Sequence, residues 1–325
     1  MCTSIRYVNK NVYIGRNLDY DFSFGEEVVI APRNFIFKFR HASLIKKHYA
    51  IIGIAYVKDN YPLFYDAMNE KGLSIAGLNF VGNASYSSIL SNHKINIAQF
   101  ELIPFILSKC SSVEEAKQLL KTTNVMNTQF SKELPCAELH YLIGDSKDCI
   151  TLEITKTGMK IYKNKINVLT NNPPFKEQVF NLNNYSNLSR KDPINNFTDD
   201  ITFSKYSRGM GSIGLPGDPS SMSRFVKASF VLHNSLSSDD EISSVNQFFH
   251  ILHSVEQQKG ICEVKENEFE YTIYSSCMSL STLTYYYTTY NSHQINAIKL
   301  NNINLENKEL SRYPLIQNEN INYQN

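Results

Sequence analysis

The sequence predicts an α+β fold in which β-strands predominate and helices are few. Strand-like segments occur in consecutive blocks, separated by short turn sequences rich in Asn, Asp and Gly. Helices are recognisable at three places, where a capping residue precedes apolar residues at helical spacing. Strand meanders packed beneath segregated helices are typical of layered architectures, so we expect sheets covered by helices.

The first predicted element is a β-hairpin at the N-terminus. Residues 3–8 and 12–18 are rich in β-branched and aromatic side chains, and the segment Asn9-Lys10-Asn11 between them is a turn sequence. With Lys10 at the tip, Cys2 pairs with Leu18 across the hairpin. The register therefore brings the end of the second strand back to the start of the chain.

Two further blocks of strands and a second hairpin are predicted along the chain. The first block comprises residues 49–56, 62–67 and 73–80. The second block comprises residues 139–143, 149–154, 159–162 and 166–169. Near the C-terminus, the aromatic run 285–287 and the segment 295–300 flank Asn291-Ser292, which is typical of a hairpin turn.

Three helices are indicated by capping sequences and apolar periodicity. Ser112 and Glu115 form a capping box that opens a helix extending to about Thr123. Asp218 and Pro219 supply a cap and a proline at the first position of a second helix. The apolar face of that helix is formed by Met222, Phe225, Val226 and Phe230. The third helix is predicted over residues 241–255.

Composition and charge predict one soluble globular unit without affinity for polyanions. Hydrophobic residues make up 42% of the 325 residues and the formal net charge is +1, so we expect no nucleic-acid partner. No linker sequence divides the chain, so we expect a single domain over residues 1–325, with mobile residues after about 315. The N-terminus lacks the regions of a signal peptide, and no apolar stretch is long enough to span a bilayer. These features predict a cytoplasmic protein with no membrane span.

Most cysteines and histidines give no sign of a metal site or a catalytic triad. Five cysteines show no metal-binding or Cys-x-x-Cys spacing: Cys110, Cys136, Cys149, Cys262 and Cys277. His250 and His253 are three residues apart on one predicted helix but have no evident third ligand, and His140 has no paired nucleophile. We expect these histidines to be structural and the protein to require no metal or cofactor.

Position 2 carries the most informative residue of the chain. If Met1 is removed, Cys2 has a free α-amine, which titrates near ~7.7–8.0, beside its own nucleophilic thiol. One residue then holds both nucleophile and base, as in N-terminal nucleophiles. The predicted register brings Arg16 and Asp19 close to Cys2, where the cation favours the thiolate and the carboxylate can hold the amine. On their own, these features are more simply a chance cysteine after Met1 and an ordinary surface ion pair.

A series of short sequence blocks runs in one order along nearly the whole chain. The blocks are Met1-Cys2-Thr3, Gly15-Arg16-Asn17-Leu18-Asp19, Asn69-Glu70-Lys71-Gly72-Leu73, Ala76-Gly77-Leu78-Asn79-Phe80, Leu169-Thr170-Asn171-Asn172-Pro173, Gly214-Leu215-Pro216-Gly217-Asp218, Ser223-Arg224-Phe225 and Tyr274-Ser275-Ser276-Cys277-Met278. Together they resemble the choloylglycine hydrolase family, which contains the conjugated bile acid hydrolases and the penicillin V acylases within the N-terminal nucleophile superfamily. The resemblance implies a four-layer α-β-β-α sandwich and a homo-oligomer, a tetramer.

The resemblance also implies roles for individual residues. The catalytic set is Cys2, Arg16, Asp19, Asn171 and Arg224. Asn171 would donate to the oxyanion, although an arbitrary Asn before Asn172-Pro173 is more simply a turn cap. Arg224, in the first turns of a predicted helix, would assist charge balance near the nucleophile. Asn79, at the end of a predicted strand, would be a second donor and a substrate contact; Asn here is typical of relatives that favour bile salts, whereas penicillin V acylases carry Tyr.

The substrate pocket is expected to be apolar, with a few polar groups that fix orientation. The candidate pocket residues are Tyr20, Phe22, Phe24, Phe64, Tyr65 and, in the loop 130–139, Leu134 and Pro135. With Tyr20 and Tyr65 in the pocket, the sequence leaves open which steroid ring the pocket prefers and whether it prefers the glycine or the taurine conjugate. Each of these aromatic residues could instead be part of the core, since aromatics make up 12% of the chain.

The function that the resemblance implies is hydrolysis of the amide bond between a bile acid and glycine or taurine, through a Cys2 acyl-thioester. Penicillin V acylase is the alternative within the same fold, because its side-chain amide is cleaved by the same chemistry. A different class also remains open, namely a catalytically silent homologue acting as a binding protein, or one limited by incomplete removal of Met1. The partners expected are therefore conjugated bile acids, which are small amphipathic anions.

Overall fold

Strands predominate in the structure, as the sequence predicts. The computed structural model describes residues 1–325. The strands are β1 (Cys2–Val8), β2 (Val12–Tyr20), β3 (Glu27–Ala31), β4 (Ile51–Lys58), β5 (Tyr61–Asn69), β6 (Ser74–Asn79), β7 (Ile95–Ala98), β8 (Thr123–Met126), β9 (Leu139–Gly144), β10 (Cys149–Thr155), β11 (Gly158–Lys163), β12 (Val168–Leu169), β13 (Cys262–Lys265), β14 (Glu268–Ser279), β15 (Thr284–Thr289), β16 (Ser292–Lys299) and β17 (Ser311–Pro314). The α-helices are α1 (Leu102–Lys109), α2 (Val113–Lys121), α3 (Phe175–Asn181), α4 (Ser221–Asn234) and α5 (Glu241–His253).

The N-terminal hairpin has the predicted register. Cys2 pairs with Leu18, and the antiparallel pairing of β1 and β2 continues to the turn at Val8 and Val12. On its other side β1 pairs with the two-residue strand β12. The start of the chain is therefore an interior strand, held between β2 and the segment that leads to Asn171.

Two antiparallel sheets form the centre of the molecule. The first sheet has the order β12-β1-β2-β14-β15-β16, with β13 beside β14. The second has the order β11-β10-β9-β6-β5-β4-β3-β17. A short parallel pair, β7 and β8, stands apart from both. The strands that carry Cys2 and Asn79 are thus interior strands of different sheets.

The two sheets and the helices form four layers, which confirms the predicted α-β-β-α sandwich. One apolar cluster joins the facing sides of the two sheets, as with Ile5 and Ile52, and extends outward to α4 and α5 through Phe225 and Phe248. The other cluster joins the far side of the second sheet to α1, as with Ile75 and Phe105. Burial of these apolar faces is the main stabilising contribution to such a sandwich.

The capping predictions are confirmed only in part. Ser112 caps α2 and accepts a hydrogen bond from the Glu115 N–H, but the Glu115 carboxylate accepts from the Ser111 N–H, so the predicted capping box is half formed.

The predicted cap Asp218 and first helical residue Pro219 are wrong, because Ser220 caps α4 and Pro219 precedes it. The Asp218 carboxylate accepts hydrogen bonds from the Ser220 N–H and from the Ser223 hydroxyl in the first turn of α4. Met222 was expected on the buried face of this helix, but it is 37% exposed. None of the helices is both long and apolar enough to cross a lipid bilayer.

Candidate active site

The thiol of Cys2 is buried beside a cationic side chain. Cys2 is 4% exposed at the start of β1. The register of the hairpin directs Arg16, two residues before the partner of Cys2, toward the sulfur. The guanidinium Nη2 of Arg16 donates to the Cys2 Sγ at 2.5 Å. This contact favours a thiolate, which is the nucleophilic form of cysteine.

Arg16 crosses from the first sheet to the second. Its Nη1 donates to the carbonyl oxygens of Tyr65 (3.3 Å) and Gly77. The side chain is 1% exposed. Burial alone lowers the pKa of Arg16, but the negative charge of Cys2, followed by Tyr274 and Asp66, raises it above its ordinary value. Arg16 therefore remains a cation inside the protein.

Asp19 lies at the end of the same strand with one carboxylate oxygen unused. Its Oδ1 accepts from the hydroxyl of Thr272 at 2.6 Å, whereas the buried Oδ2 has no hydrogen-bond partner. The α-amine of Met1 donates to the backbone carbonyl of Asp19 at 2.8 Å and contacts the carboxylate of Glu270. Desolvation lowers the pKa of this amine. The Cys2 nitrogen, which becomes the terminal amine if Met1 is removed, instead donates to Asn171 Oδ1 at 2.7 Å.

Asn171 and Arg224 contact the backbone of Cys2 from the opposite side. The Cys2 N–H donates to Asn171 Oδ1 at 2.7 Å, and Arg224 Nη2 donates to the same oxygen at 2.8 Å. Arg224 Nη1 donates to the Cys2 carbonyl oxygen at 2.6 Å. Burial lowers the pKa of Arg224, against the opposing effect of the charges on Asp19 and Cys2. The amide nitrogen of Asn171 donates to the Asn79 carbonyl oxygen at 2.8 Å, which leaves its second N–H unused.

A cavity of about 420 Å³ is lined in part by Cys2 and Arg16, and 15 of its 23 lining residues are hydrophobic. Most of the predicted pocket residues line it, namely Tyr20, Phe24, Phe64, Tyr65, Asn79, Leu134 and Pro135. A cavity of this size and composition is suited to a large apolar body with few polar groups. The side-chain amide of Asn79 makes no hydrogen bond within the chain and is free to meet a bound molecule.

Phe22 does not line the cavity, contrary to the prediction. It is 47% exposed and packs on Phe24, with the ring centroids 4.6 Å apart. Phe22 packs on the side of Phe24 that faces away from the cavity, whereas Phe24 lines the cavity. The alternation of a strand does not extend past Tyr20, so neither side chain direction could be assigned from spacing alone.

Several cavity residues were not predicted from the sequence. These are Leu18, Glu26, Tyr56, Leu63, Gly77, Val81, Gln99 and Phe100. The predicted loop 130–139 lines the cavity through Phe130, Glu133, Cys136, Ala137 and Leu139 as well as Leu134 and Pro135. Phe100 and Tyr56 come from distant parts of the chain, and no local sequence signal marks them.

The histidines take no part in this arrangement. The ring of His140 stacks on Phe80 at 4.3 Å, and its Nε2 bonds with the Thr170 carbonyl at 2.7 Å. Burial lowers the pKa of His253 to about 4. No group of three His, Cys, Asp or Glu side chains in the structure is arranged to hold a metal ion.

Comparison with known proteins gives one consistent match over the whole chain. The family model described as "linear amide C–N hydrolases, choloylglycine hydrolase family" matches residues 2–313. A bile salt hydrolase/transferase of Lactiplantibacillus plantarum is 53% identical over 97% of both chains. A bile salt hydrolase/transferase of Clostridium perfringens is 37% identical over the full length of both.

Solved structures give the same result at the level of the fold. The C2A mutant of the conjugated bile acid hydrolase from Clostridium perfringens superposes with a TM-score of 0.93, at 36% identity and full coverage of both chains. A penicillin V acylase from Agrobacterium tumefaciens superposes with a TM-score of 0.75 at 20% identity, covering 96% of this chain and 90% of its own. The latter likeness extends to the fold alone.

Proposed function

The chain belongs to the choloylglycine hydrolase family of linear amide C–N hydrolases, and we propose that it hydrolyses the amide that joins a bile acid to glycine or taurine. The single observation that carries this proposal is the position of the Cys2 thiol. It lines a largely apolar cavity, in contact with a buried guanidinium. The 53% identity to a bile salt hydrolase/transferase supports the same substrate class.

The proposed reaction begins after removal of Met1. The thiolate of Cys2 attacks the amide carbonyl carbon, a C–S bond forms, and the carbonyl oxygen becomes an oxyanion. The α-ammonium of Cys2, which holds the thiol proton, gives a proton to the leaving nitrogen, and the C–N bond breaks. Glycine or taurine departs and the bile acid remains as a thioester. The amine then takes a proton from water, whose oxygen forms a C–O bond with the thioester carbon. The C–S bond breaks, the free bile acid leaves, and the Cys2 thiolate and α-ammonium are restored.

The developing oxyanion requires donors that are already in place. We assign this role to the unused N–H of Asn171 and to the side-chain amide of Asn79. Asn171 is held by contacts on both sides, since its backbone N–H donates to the Ser221 hydroxyl at 2.8 Å and its Oδ1 accepts from Arg224. A fixed amide does not have to reorient when the charge appears, which is the basis of this kind of stabilisation.

Asp19 and Arg224 are assigned to the amine and backbone of Cys2. The unused Oδ2 of Asp19 is available to a terminal ammonium, and Arg224 holds the Cys2 carbonyl oxygen at 2.6 Å. Both contacts would orient the amine during proton transfer without themselves exchanging protons. Arg16 is assigned to the sulfur, where its charge favours the thiolate.

The cavity supports an amphipathic acyl group rather than a small one. Its wall is formed by aromatic and aliphatic side chains, including Phe64, Phe100 and Phe130. The rigid apolar body of a bile acid could fill such a space and gain the free energy of removing apolar surface from water. The family resemblance assigns Asn79 as a substrate contact. By the same resemblance, Asn at this position favours bile salts over penicillin V.

A panel of three substrates tests the proposal. Glycocholate, taurocholate and penicillin V are compared at equal enzyme concentration, with kcat/KM as the readout. We expect the larger value for at least one bile conjugate. A kcat/KM for penicillin V equal to or above that for both conjugates would overturn the assignment.

Removal of Met1 is part of the proposal and is tested separately by intact mass. We expect the purified protein to lack Met1, because a blocked amine could not act as the base. A preparation that retains Met1 should be inactive. If it were fully active, the amine would have no role and the mechanism would be wrong.

We further propose that the protein is a homotetramer in the cytoplasm. The family resemblance supports the tetramer, and the reducing cytoplasm agrees with the six free cysteines. Multi-angle light scattering gives the assembly directly. A mass of four chains is expected, and a monomeric mass at micromolar concentration would contradict it.

A further inference from the structure

A buried carboxylate lies beneath the candidate active site. Asp66, on β5, is 0% exposed. Its Oδ1 accepts a hydrogen bond from the Tyr274 hydroxyl at 2.6 Å. Its Oδ2 accepts from the hydroxyls of Tyr285 at 2.5 Å and Ser276 at 2.9 Å. All three donors belong to β14 and β15 of the opposite sheet, so this carboxylate is a polar link across the sandwich.

Asp66 and Arg16 are reciprocal links between the same two sheets. Arg16 extends from the first sheet to the carbonyl oxygen of Tyr65, the residue next to Asp66. The backbone N–H of Arg16 donates to the Ser276 hydroxyl at 3.2 Å, and that hydroxyl donates to Asp66. The side chains of Arg16 and Asp66 are not in direct contact. They are connected through the Ser276 hydroxyl and through the carbonyl oxygen of Tyr65, whose peptide group adjoins Asp66.

Ionisable groups of both signs surround this region. Around Cys2, Arg16 and Asp66 they are Asp19, Tyr20, Glu26, Tyr65, Arg224, Glu270, Tyr274, Tyr285 and the α-amine. Burial raises the pKa of Asp66 above its ordinary value, although Arg16 and the hydroxyls of Tyr274, Tyr285 and Ser276 act in the opposite direction. An ionised Asp66 would share the positive charge of Arg16 with the Cys2 thiolate.

We propose that Asp66 is a positioning residue that acts through Arg16. When ionised, its carboxylate limits how strongly the guanidinium stabilises the Cys2 thiolate, and the three hydrogen bonds that it accepts fix the strands that aim Arg16 at the sulfur. This inference rests on the proposed function of Cys2 as the nucleophile. Asp66 does not line the cavity, so its effect should fall on the reactivity of the sulfur and not on the binding of substrate.

The test is Asp66→Asn, which removes the charge and keeps the shape. Without the competing carboxylate, the thiolate forms at lower pH, so the acid limb of the pH–kcat/KM profile moves to lower pH. A more strongly stabilised thiolate is also a weaker nucleophile, so kcat should fall about tenfold while KM stays within about twofold. The rate of Cys2 alkylation by iodoacetamide is measured against pH in the same preparations. This second readout needs no substrate, so it separates failure of the inference from failure of the proposed function.

Asp145→Asn is the matched control, because Asp145 is also a buried carboxylate but accepts the backbone N–H groups of Lys147 in the β9–β10 turn and of Val113 at the start of α2. It should lose stability without any shift in either profile. If Asp66→Asn does not fold, Tyr285→Phe removes one hydrogen bond that partly neutralises the ionised carboxylate, so both profiles should shift the other way, to higher pH, and by less. A folded Asp66→Asn protein whose alkylation profile is unchanged or moves to higher pH would overturn the inference, and so would a Tyr285→Phe protein whose profile is unchanged or moves to lower pH.

Discussion

Arg16 is the residue on which the geometry around the nucleophile depends most. A cation that is 1% exposed is costly unless it is paired and hydrogen-bonded. Its guanidinium meets both conditions, since one nitrogen contacts the Cys2 sulfur and another contacts two carbonyl oxygens of the opposite sheet. The planar fork, and not only the charge, is therefore required at this position.

Replacement of Arg16 tests this requirement. Arg16→Lys keeps the charge but cannot make both sets of contacts, so kcat/KM should fall about tenfold. Arg16→Leu also removes the charge, and a loss of at least about a hundredfold is expected, with slower alkylation of Cys2 at neutral pH. Circular dichroism controls for misfolding. Arg16→Leu with unchanged turnover and alkylation rates would show that Arg16 does not act on the sulfur.

Asn79 is the second residue whose replacement separates two effects. The change Asn79→Tyr places a bulky side chain at the end of β6, beside the cavity, and removes a free amide. We expect kcat/KM for glycocholate to fall at least about tenfold, whereas a strand end tolerates an aromatic residue, so the melting temperature should change little. Thermal melting and kinetics are measured on one preparation. Equal kcat/KM for glycocholate before and after the change would remove Asn79 from the substrate contacts.

At the scale of elements, the close approach of β2 to β14 fixes the position of Arg16. A Cβ on Gly15 would lie 1.9 Å from the carbonyl oxygen of Ser276 on β14. Only glycine allows β2 to run this close to its neighbour, because any side chain would force the backbones apart.

The variant Gly15→Ala should therefore destabilise the protein by about 1–3 kcal/mol and lower activity through displacement of Arg16. Gly217→Ala is the control, because a Cβ there meets no atom within 4 Å. Urea unfolding of both variants gives the comparison. Equal stability of the two would mean that the strands can separate without cost.

The short turn before α1 provides a prediction about pH. Glu101 is fully buried and accepts hydrogen bonds from the N–H groups of Arg40 and Ala98. Burial raises the pKa of Glu101 to about 7. Its favourable contribution to the free energy of unfolding is therefore fully present below the pKa of the unfolded state and is lost as pH rises through about 7.

Between about pH 4.5 and pH 7.5 the wild type should lose up to about 3 kcal/mol of unfolding free energy relative to Glu101→Gln. Urea unfolding at both pH values measures this difference. The exposed Glu309→Gln is the control and should not show it. A wild type that gained stability relative to Glu101→Gln over this range would contradict the assigned direction.

The elements that the sequence could predict are those whose signals are local. The register of the first hairpin was predicted to the residue, because the turn with Lys10 at its tip fixes the pairing. Strand β14 was not predicted, since its centre is Ser275-Ser276-Cys277, where small polar side chains are buried by hydrogen bonds to distant partners such as Asn17. Helix α1 was not predicted either, because its apolar residues surround the helix and Pro104 lies in its first turn.

At the scale of the whole molecule, the site exists because two sheets face each other. Cys2 and Arg16 come from one sheet, whereas Tyr65, Gly77 and Asn79 come from the other. The residues of the catalytic set could be proposed from sequence because their blocks match a family. The cavity wall could not be predicted, because no local sequence signal distinguishes Phe100 from Phe22. Long-range packing places Phe100 in the cavity wall and Phe22 outside it.

The measurement that tests the central claim most directly is turnover of glycocholate by Cys2→Ala, beside wild-type protein shown by intact mass to lack Met1. The substitution removes the sulfur and little volume, so circular dichroism should be unchanged. We expect kcat to fall at least about a thousandfold, since no other group near the cavity combines a nucleophile with a base. Cys2→Ala with a kcat within about tenfold of the wild type would contradict the account, because the reaction would then proceed without the proposed nucleophile.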